Sequence, residues 1–420
     1  MVDTMQTWRD AAMATFRAVG LPHDRQEAWK YTDVSAIHQR MGADWRKENA
    51  PAAAPFLPEF YPKIDGLDAY TIIFFQGRIH VLGLALPAGV DLVPWSTMDQ
   101  TTACEDLPKV QPDAPLFHAF DALNAGLMDD GVCLRVAAGV LLDKPLYILH
   151  LHDDTAHSHV RHRVHLGESS KASIIHHDVA LTGEHARLRT SHYHCYLETA
   201  STLDHTRVQE FAANDWHFGR LHVEQQQASH FDAHAAELGG EKIRMDICVQ
   251  LQQASAYCAV HGLFLLHDAQ HVDHHIHINH YAPDCSSRQV YRSVLADHSH
   301  GVFNGKVHVH RHASGTDAEQ HSDNLLLSKN AEIDTKPELE IDHDNVTCSH
   351  GATVGQLNAD HLFYLRSRGL SEAMSRDILV FAFADALLAV LPDRHIRRYI
   401  ESIAFNKIPH GTDLLGLLAK

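Results

Sequence analysis

The spacing of apolar positions changes along this chain and marks out its elements. Near the N-terminus Trp8, Ala11, Ala12, Ala14, Phe16 and Val19 recur in a stretch free of Pro and Gly, which predicts a helix that Gly20-Leu21-Pro22 ends. Pro51-Ala52-Ala53-Ala54-Pro55 reads as a linker. Between Tyr61 and Val93, β-branched and aromatic runs such as Tyr70-Thr71-Ile72-Ile73-Phe74-Phe75 predict a few strands. Ala114-Pro115 through Gly126 predicts a short helix with Phe117, Phe120 and Leu123 on one face.

From about Leu146 to Thr353 the pattern becomes a succession of short strands, among them Leu146-Tyr147-Ile148-Leu149, Ala172-Ser173-Ile174-Ile175, Met245-Asp246-Ile247-Cys248-Val249, Val302-Phe303 and Lys306-Val307-His308-Val309. They recur roughly every ten to fifteen residues, with Gly, Asp, Asn and Ser between them, which predicts an all-β body. A sandwich, a barrel and a β-solenoid all fit, because no repeat motif selects among them. After Gly369 the period is helical again. Ser371 is placed to cap a helix with Glu372 in its first turn. Ile378, Leu379, Ala382, Phe383, Ala386, Leu387 and Val390 give it a broad apolar face, and Leu391-Pro392-Asp393 stops it. A second helix is expected from Arg394 through Ile403. The chain thus divides into an N-terminal helical and mixed region (1–110), a β core (111–355) and a helical tail (356–420).

The 420 residues suffice for a large core, and the formal charge of −18 argues against nucleic acid as a partner, since phosphate binding needs a basic surface. No apolar run reaches the roughly 18 residues of a membrane span, and the start of the chain lacks the basic and apolar regions of a signal peptide. Seven scattered cysteines without a CxxC pair argue against a disulfide framework and against a CxxC-type zinc or ferredoxin site. A reducing cytoplasm is the expected setting. The compositional oddity is 38 histidines.

Several patterns bear on chemistry. Cys348 and His350, two apart on a predicted strand, point the same way, and a thiolate with a neutral imidazole suits iron or an iron–sulfur fragment. The competing reading makes Cys348 a small buried hydrophobe and His350 the end of the β body. His308, His310 and His312 alternate with Val307 and Val309, and His275 and His277 with Ile276 and Ile278. Such ladders either chelate divalent metal or fill exposed strand positions. His308-Val309-His310 after Gly301 opens like a cupin metal motif, but Ser314 and Gly315 stand where its glutamate belongs. Gly301-Val302-Phe303-Asn304-Gly305-Lys306-Val307 falls one residue short of a phosphate loop and has Val where Ser or Thr would hold magnesium. There is no GxSxG elbow.

Cys348-Ser349-His350-Gly351-Ala352-Thr353-Val354-Gly355-Gln356-Leu357 and Leu362-Phe363-Tyr364-Leu365-Arg366-Ser367-Arg368-Gly369 resemble the C-terminal hallmark of the SufB/SufD family of the SUF iron–sulfur cluster assembly machinery, on its SufD side. Asn324-Leu325-Leu326-Leu327-Ser328, Ala331 through Ile341, and Glu27-Ala28-Trp29-Lys30-Tyr31-Thr32 are similar to the same family, so the resemblance spans nearly the whole chain. Gly351 stands where the SufB motif has glutamate. Thr347 departs from the basic residue that often precedes the cysteine.

The resemblance implies a right-handed parallel β-helix core between helical ends and a non-catalytic scaffold subunit. It implies a SufB partner joined through the core, and a SufC ATPase docked on the C-terminal helices. Arg366, Arg368, Ile378, Leu379 and Phe383 are the candidate docking residues. His350, with Cys348 beside it, would hold iron or a nascent cluster transiently against a SufB cysteine, with no tightly bound cofactor in the isolated chain. Strand edges lacking that partner would let the isolated chain form a homodimer. Two other classes stay open: a stand-alone histidine-rich metal-binding protein, and a β-helix hydrolase or lyase.

Overall fold

The computed structural model describes residues 4–42, 45, 62–81, 84–98 and 119–407. The Pro51–Pro55 linker and Phe117 lie outside these residues. The first helix, α1 (Thr4–Val19), ends where Gly20 takes φ 71° and returns its N–H to Phe16. A single 3-10 turn (Glu27–Trp29) and α2 (Ile37–Met41) follow. Next come β1 (Tyr70–Phe75), β2 (Arg78–Val81), β3 (Val90–Pro94), α3 (Ala119–Leu127) and β4 (Val132–Val136).

An unbroken succession of strands then makes the body: β5 (Leu146–His152), β6 (Ser158–Leu166), β7 (Lys171–Ala180), β8 (Leu188–Leu197), β9 (Thr202–Glu210), β10 (Trp216–Gln225), β11 (His230–Glu237), β12 (Lys242–Leu251), β13 (Tyr257–Leu266), β14 (His271–His280), β15 (Ser286–Leu295), β16 (His300–Val309), β17 (Thr316–Leu326), β18 (Glu332–Ile341) and β19 (Val346–Gly355). The tail is α4 (Ala359–Ser367), α5 (Glu372–Leu388) and α6 (Arg394–Lys407). The runs Val302-Phe303 and Lys306–Val309, read separately in the sequence, are one continuous strand, β16.

Successive strands alternate between two sheets. Odd-numbered strands from β5 to β19 pair in parallel in one sheet, and even-numbered strands from β4 to β18 pair in parallel in the other. The result is a parallel β-solenoid of about eight coils. Thr202, His230, Tyr257, Ser286 and Asp317 stand in register, so each coil takes roughly thirty residues. At one end the coil turns back on itself, with β1–β2 and β3–β4 antiparallel.

One corner repeats a conformation that no residue type advertises. Ser169, Ala200, Ala228, Ser255, Asp284 and Gly315 all have positive φ, and each donates its N–H to a carbonyl in the next coil, from Thr199, Gln227, Ala254, Pro283, Ser314 and Asn345 respectively. Only Gly315 adopts this conformation without a side-chain cost. A Cβ there would also stand 2.4 Å from an Asp284 carboxylate oxygen.

Alternate residues of every strand face the lumen, which is filled by Ile148, Ile174, Leu221, Phe231, Phe264, Ile276, Phe303 and Val307 among others. The outer face of the odd-strand sheet carries Leu149, Ile175, Val208 and Leu263, which pack against Val380, Ala384 and Leu388 of α5 and Ile396 and Ile400 of α6. Ser371 accepts the Met374 N–H as the α5 cap, and Asp393 accepts the His395 and Ile396 N–H groups at the start of α6. The N-terminal segment covers the other sheet, with Trp29 and Ile37 against Phe120 and Phe218. No helix among the described residues is long and apolar enough to cross a membrane.

Candidate functional site

The far end of the solenoid is open. β18 and β19 are the last strands of their sheets, so each has a neighbour on one side alone among the described residues. In β18 and just beyond it, the N–H groups of Glu332 and Asp342 reach back to Ser299 and Val309 in the β16 coil. By the two-residue alternation of a strand, the odd positions 333 to 341 then turn their backbone groups outward. Pro337, which has no N–H to offer, sits at one of these outward positions.

Cys348 and His350 lie on β19 at this rim, with Cys348 opposite Ala318 and His350 opposite Gln320. Cys348 is half-buried against the lumen core, and His350 is exposed. They share one side of the strand, as the spacing predicts. Burial pushes the Cys348 thiol above its ordinary value. It therefore rests protonated at neutral pH and becomes a thiolate only where a metal displaces the proton.

The ladders are split by the fold. His308, His310 and Asp342 offer ligand atoms within 4.8 Å of one another, with the His308 and His310 ring centroids 3.7 Å apart. His312 is exposed outside that group. His275 and His277 face outward while Ile276 and Ile278 fill the lumen, as the alternation predicts.

Among the further groups that escaped the sequence reading, two draw their members from more than one strand of the first coils. His194, His222 and Glu224 meet on the outer face of β8 and β10. His194 and His222 hold the Glu224 carboxyl below its usual range, and hydrogen bonds to Cys248 and Glu224 raise His222 to about 9 against burial. Inside the lumen, β5, β6 and β7 bring together His150, His162 and His176. Burial pushes His150 down to about 4 and the other two well below the ordinary imidazole value. Only the register of the coils makes either group visible.

In the tail, α4 buries none of its residues and leaves Phe363 and Tyr364 73% and 56% exposed. Arg368 lies over the Tyr364 ring at 5.2 Å, and Arg366 pairs with Glu372 at 3.5 Å. Ile378 and Leu379 are half-buried on α5. Phe383 is engaged within the chain, because the Arg292 guanidinium stacks on its ring at 5.0 Å and donates to its carbonyl at 2.5 Å. Phe363 and Tyr364 stand within the quoted family hallmark but outside the docking candidates read from the sequence; a helix with no apolar stripe of its own was the available signal of their exposure.

The N-terminal marker at Trp29–Thr32 is a clasp. Arg244 stacks on Trp29 at 4.0 Å, donates to Ala28 O at 2.5 Å, and bonds Asp273 at 2.8 Å and Asp246 at 3.0 Å. The Thr32 hydroxyl donates to the same Asp273 at 2.5 Å. Burial works to raise Asp273, yet His275 and Arg244 hold it below the usual carboxylate range. The stretch that approximates a phosphate loop lies in extended β16. Its glycines are there for packing: a Cβ on Gly301 would meet Ile333 at 2.8 Å, and one on Gly305 would meet Gln289 at 2.6 Å.

Comparison with known proteins bears on the whole chain. Residues 149–383 match the family described as "SUF system FeS cluster assembly, SufBD core domain", and residues 1–90 match "SufBD protein N-terminal region". The iron–sulfur cluster assembly protein SufD of Escherichia coli (strain K12) is 28% identical over 397 residues, which cover 93% of this chain and 90% of that one. The SufBD family protein slr0076 of Synechocystis is 28% identical, covering 91% and 87%. The chloroplastic protein ABCI7 of Arabidopsis thaliana is 25% identical, covering 94% and 84%.

Proposed function

Because the chain belongs to the SufBD family of iron–sulfur cluster assembly proteins, we propose that it is the SufD-type scaffold subunit of a cytoplasmic SufB–SufC–SufD complex. One observation carries the reading. The solenoid ends in two ten-residue strands with unpaired outer edges among the described residues, and Cys348 and His350 stand on that rim. A homologous solenoid offering its own end strands would continue both sheets through main-chain hydrogen bonds. His350, as a neutral imidazole, would then share iron or a nascent cluster with a thiolate of the SufB partner. The cluster is cargo, assembled and passed on.

The tail supplies the second contact. Phe363 and Tyr364, with Arg366 and Arg368 beside them, form an exposed patch fit to dock the SufC ATPase. Ile378, Leu379 and Phe383 contribute less, since each is partly covered by the chain's own packing. Nucleotide-driven association of two SufC copies would strain the SufB–SufD junction and open it. Such a change is driven only if the nucleotide states bind the two arrangements differently. The chain itself acts without catalysis, in keeping with the extended strand that occupies the place of a phosphate loop.

The test is co-expression with SufB and SufC from the same source, followed by size-exclusion chromatography with mass determination. A stable complex of the three is expected. A chain that elutes apart from both partners would overturn the scaffold reading in favour of a stand-alone metal-binding protein.

A further inference from the structure

The first coils of the solenoid enclose a second site, remote from the rim. His150, His162 and His176 are each 2% exposed or less, and each offers a ring nitrogen within 4.8 Å of the other two. Both nitrogens of His150, Nε2 of His162 and Nδ1 of His176 have no hydrogen-bond partner. The same is true of Nε2 of His205, whose ring centroid lies 5.1 Å from that of His176. Folded proteins rarely leave a buried polar atom unsatisfied, and here five such nitrogens sit on four neighbouring rings, three of which bring a ligand atom to one place. The surroundings are the Phe74 ring, 4.8 Å from His150, and the Tyr193 ring, 4.4 Å from His176. Asp178, the ladder neighbour of His150, supplies negative charge; one of its oxygens bonds His152 at 3.0 Å and the other has no partner.

We propose that His150, His162 and His176 bind one late first-row divalent transition-metal ion inside the lumen, with His205 placed as a fourth donor. Neutral imidazoles suit zinc, iron, nickel and copper. Ligand atoms at the 4.8 Å limit would stand about 2.8 Å from a central ion, so closing to the roughly 2.0–2.1 Å of a zinc–nitrogen bond takes small rotations of the rings. His162 Nδ1 accepts the Val132 N–H at 3.3 Å, a long contact that is given up when the proton moves to Nδ1 and frees Nε2 for the ion. The ligands come from β5, β6 and β7, so the ion staples the two sheets together in consecutive coils. The closed lumen means that the ion enters as these coils form and exchanges slowly afterwards. The site is independent of the assembly function proposed above.

The test must separate this site from outward-facing groups such as His308, His310 and Asp342. The full chain is refolded with zinc, or with cobalt(II) as a spectroscopic probe, then dialysed at length against EDTA. One metal equivalent per chain is expected to resist the chelator, to leave on denaturation in guanidinium, and with cobalt to give the visible absorption of a four-coordinate nitrogen site. His162→Phe and His176→Leu replace unsatisfied nitrogens with apolar atoms and should each abolish the retained equivalent. His308→Ala should leave it unchanged. Wild-type protein that keeps no metal overturns the proposal and leaves water as the occupant, and this arm holds even if the variants fail to fold. A retained equivalent that survives both lumen substitutions overturns it equally.

Discussion

His350 is the ladder partner of Gln320, and no strand among the described residues lies beyond it. Its column runs back through Gln320, Gln289, Val260, Ala233 and His205, every one of them buried. His350 is the one residue of this column that reaches solvent. Replacement by Ala should therefore leave the fold alone, within about 0.5 kcal/mol, as for other exposed positions without special contacts. Cluster assembly in cells should fall sharply while the three-component complex survives. Full assembly activity in a His350→Ala strain would remove the residue from the site.

The edge itself is open to a backbone test. Thr335→Pro deletes an outward N–H of β18 and leaves the bonds of Glu332 and Asp342 to the β16 coil in place. The isolated variant should melt close to wild type, yet its association with SufB should weaken at least tenfold, measured by titration calorimetry. Equal affinities would mean that the partner does not add strands to this edge.

The exposed ring pair on α4 predicts a separable defect. A double variant Phe363→Ala, Tyr364→Ala removes apolar surface that no intramolecular contact uses heavily. It should keep SufB and lose SufC on co-purification, because aromatic residues dominate interface energetics. Retention of SufC at wild-type stoichiometry would move the docking surface elsewhere.

Arg244 joins the N-terminal segment to the solenoid. Arg244→Leu takes the guanidinium away from the buried Asp246 and Asp273 carboxylates, and breaking a buried ion pair typically costs about 3–5 kcal/mol. The midpoint of chemical denaturation should drop accordingly, and residues 4–42 should become sensitive to protease in the native protein. A loss under about 1 kcal/mol would show the clasp to be ornamental.

Burial holds His157, His234, His277 and His280 at about 4, below the 6.5 of a free imidazole. Between those values the unfolded chain binds protons that the folded chain refuses, so native stability falls as pH drops through the window. Each ring contributes on the order of 3 kcal/mol over its full span. His222 has the opposite sign. Raised to about 9 through Cys248 and Glu224, it stabilises the fold below 6.5, and that contribution is lost as pH rises toward 9. Melting temperature should hold near pH 7 and decline steeply from 6.5 to 4. An unchanged melting temperature between pH 7.5 and 5 would count against this account.

What the sequence revealed depended on how local each signal is. The helix ending at Gly20, the Ser371 cap and the strand at Tyr70 rest on neighbouring residues and stand as read. The solenoid could not be told from a sandwich, because its repeat lies in backbone conformation at one corner. Ala200, Ala228 and Asp284 adopt the left-handed turn there as Gly315 does, so no glycine period betrays the coil. The common face of Cys348 and His350 was legible because two-residue spacing fixes it. The lumen histidines were not, since His150 and His176 belong to strands whose alignment only the folded register supplies.

The two ends of the solenoid differ in a way that limits growth. One is closed by β2 and β3, reversed strands of four and five residues. The other presents two parallel edges of ten residues each. The solenoid of the described residues therefore has one end on which strands can be added. A second solenoid, whether SufB or another copy of this chain, would use up both of these long edges and leave no other among the described residues for a third to grow on. An exposed β edge that would otherwise seed a fibre is thereby restricted to making pairs.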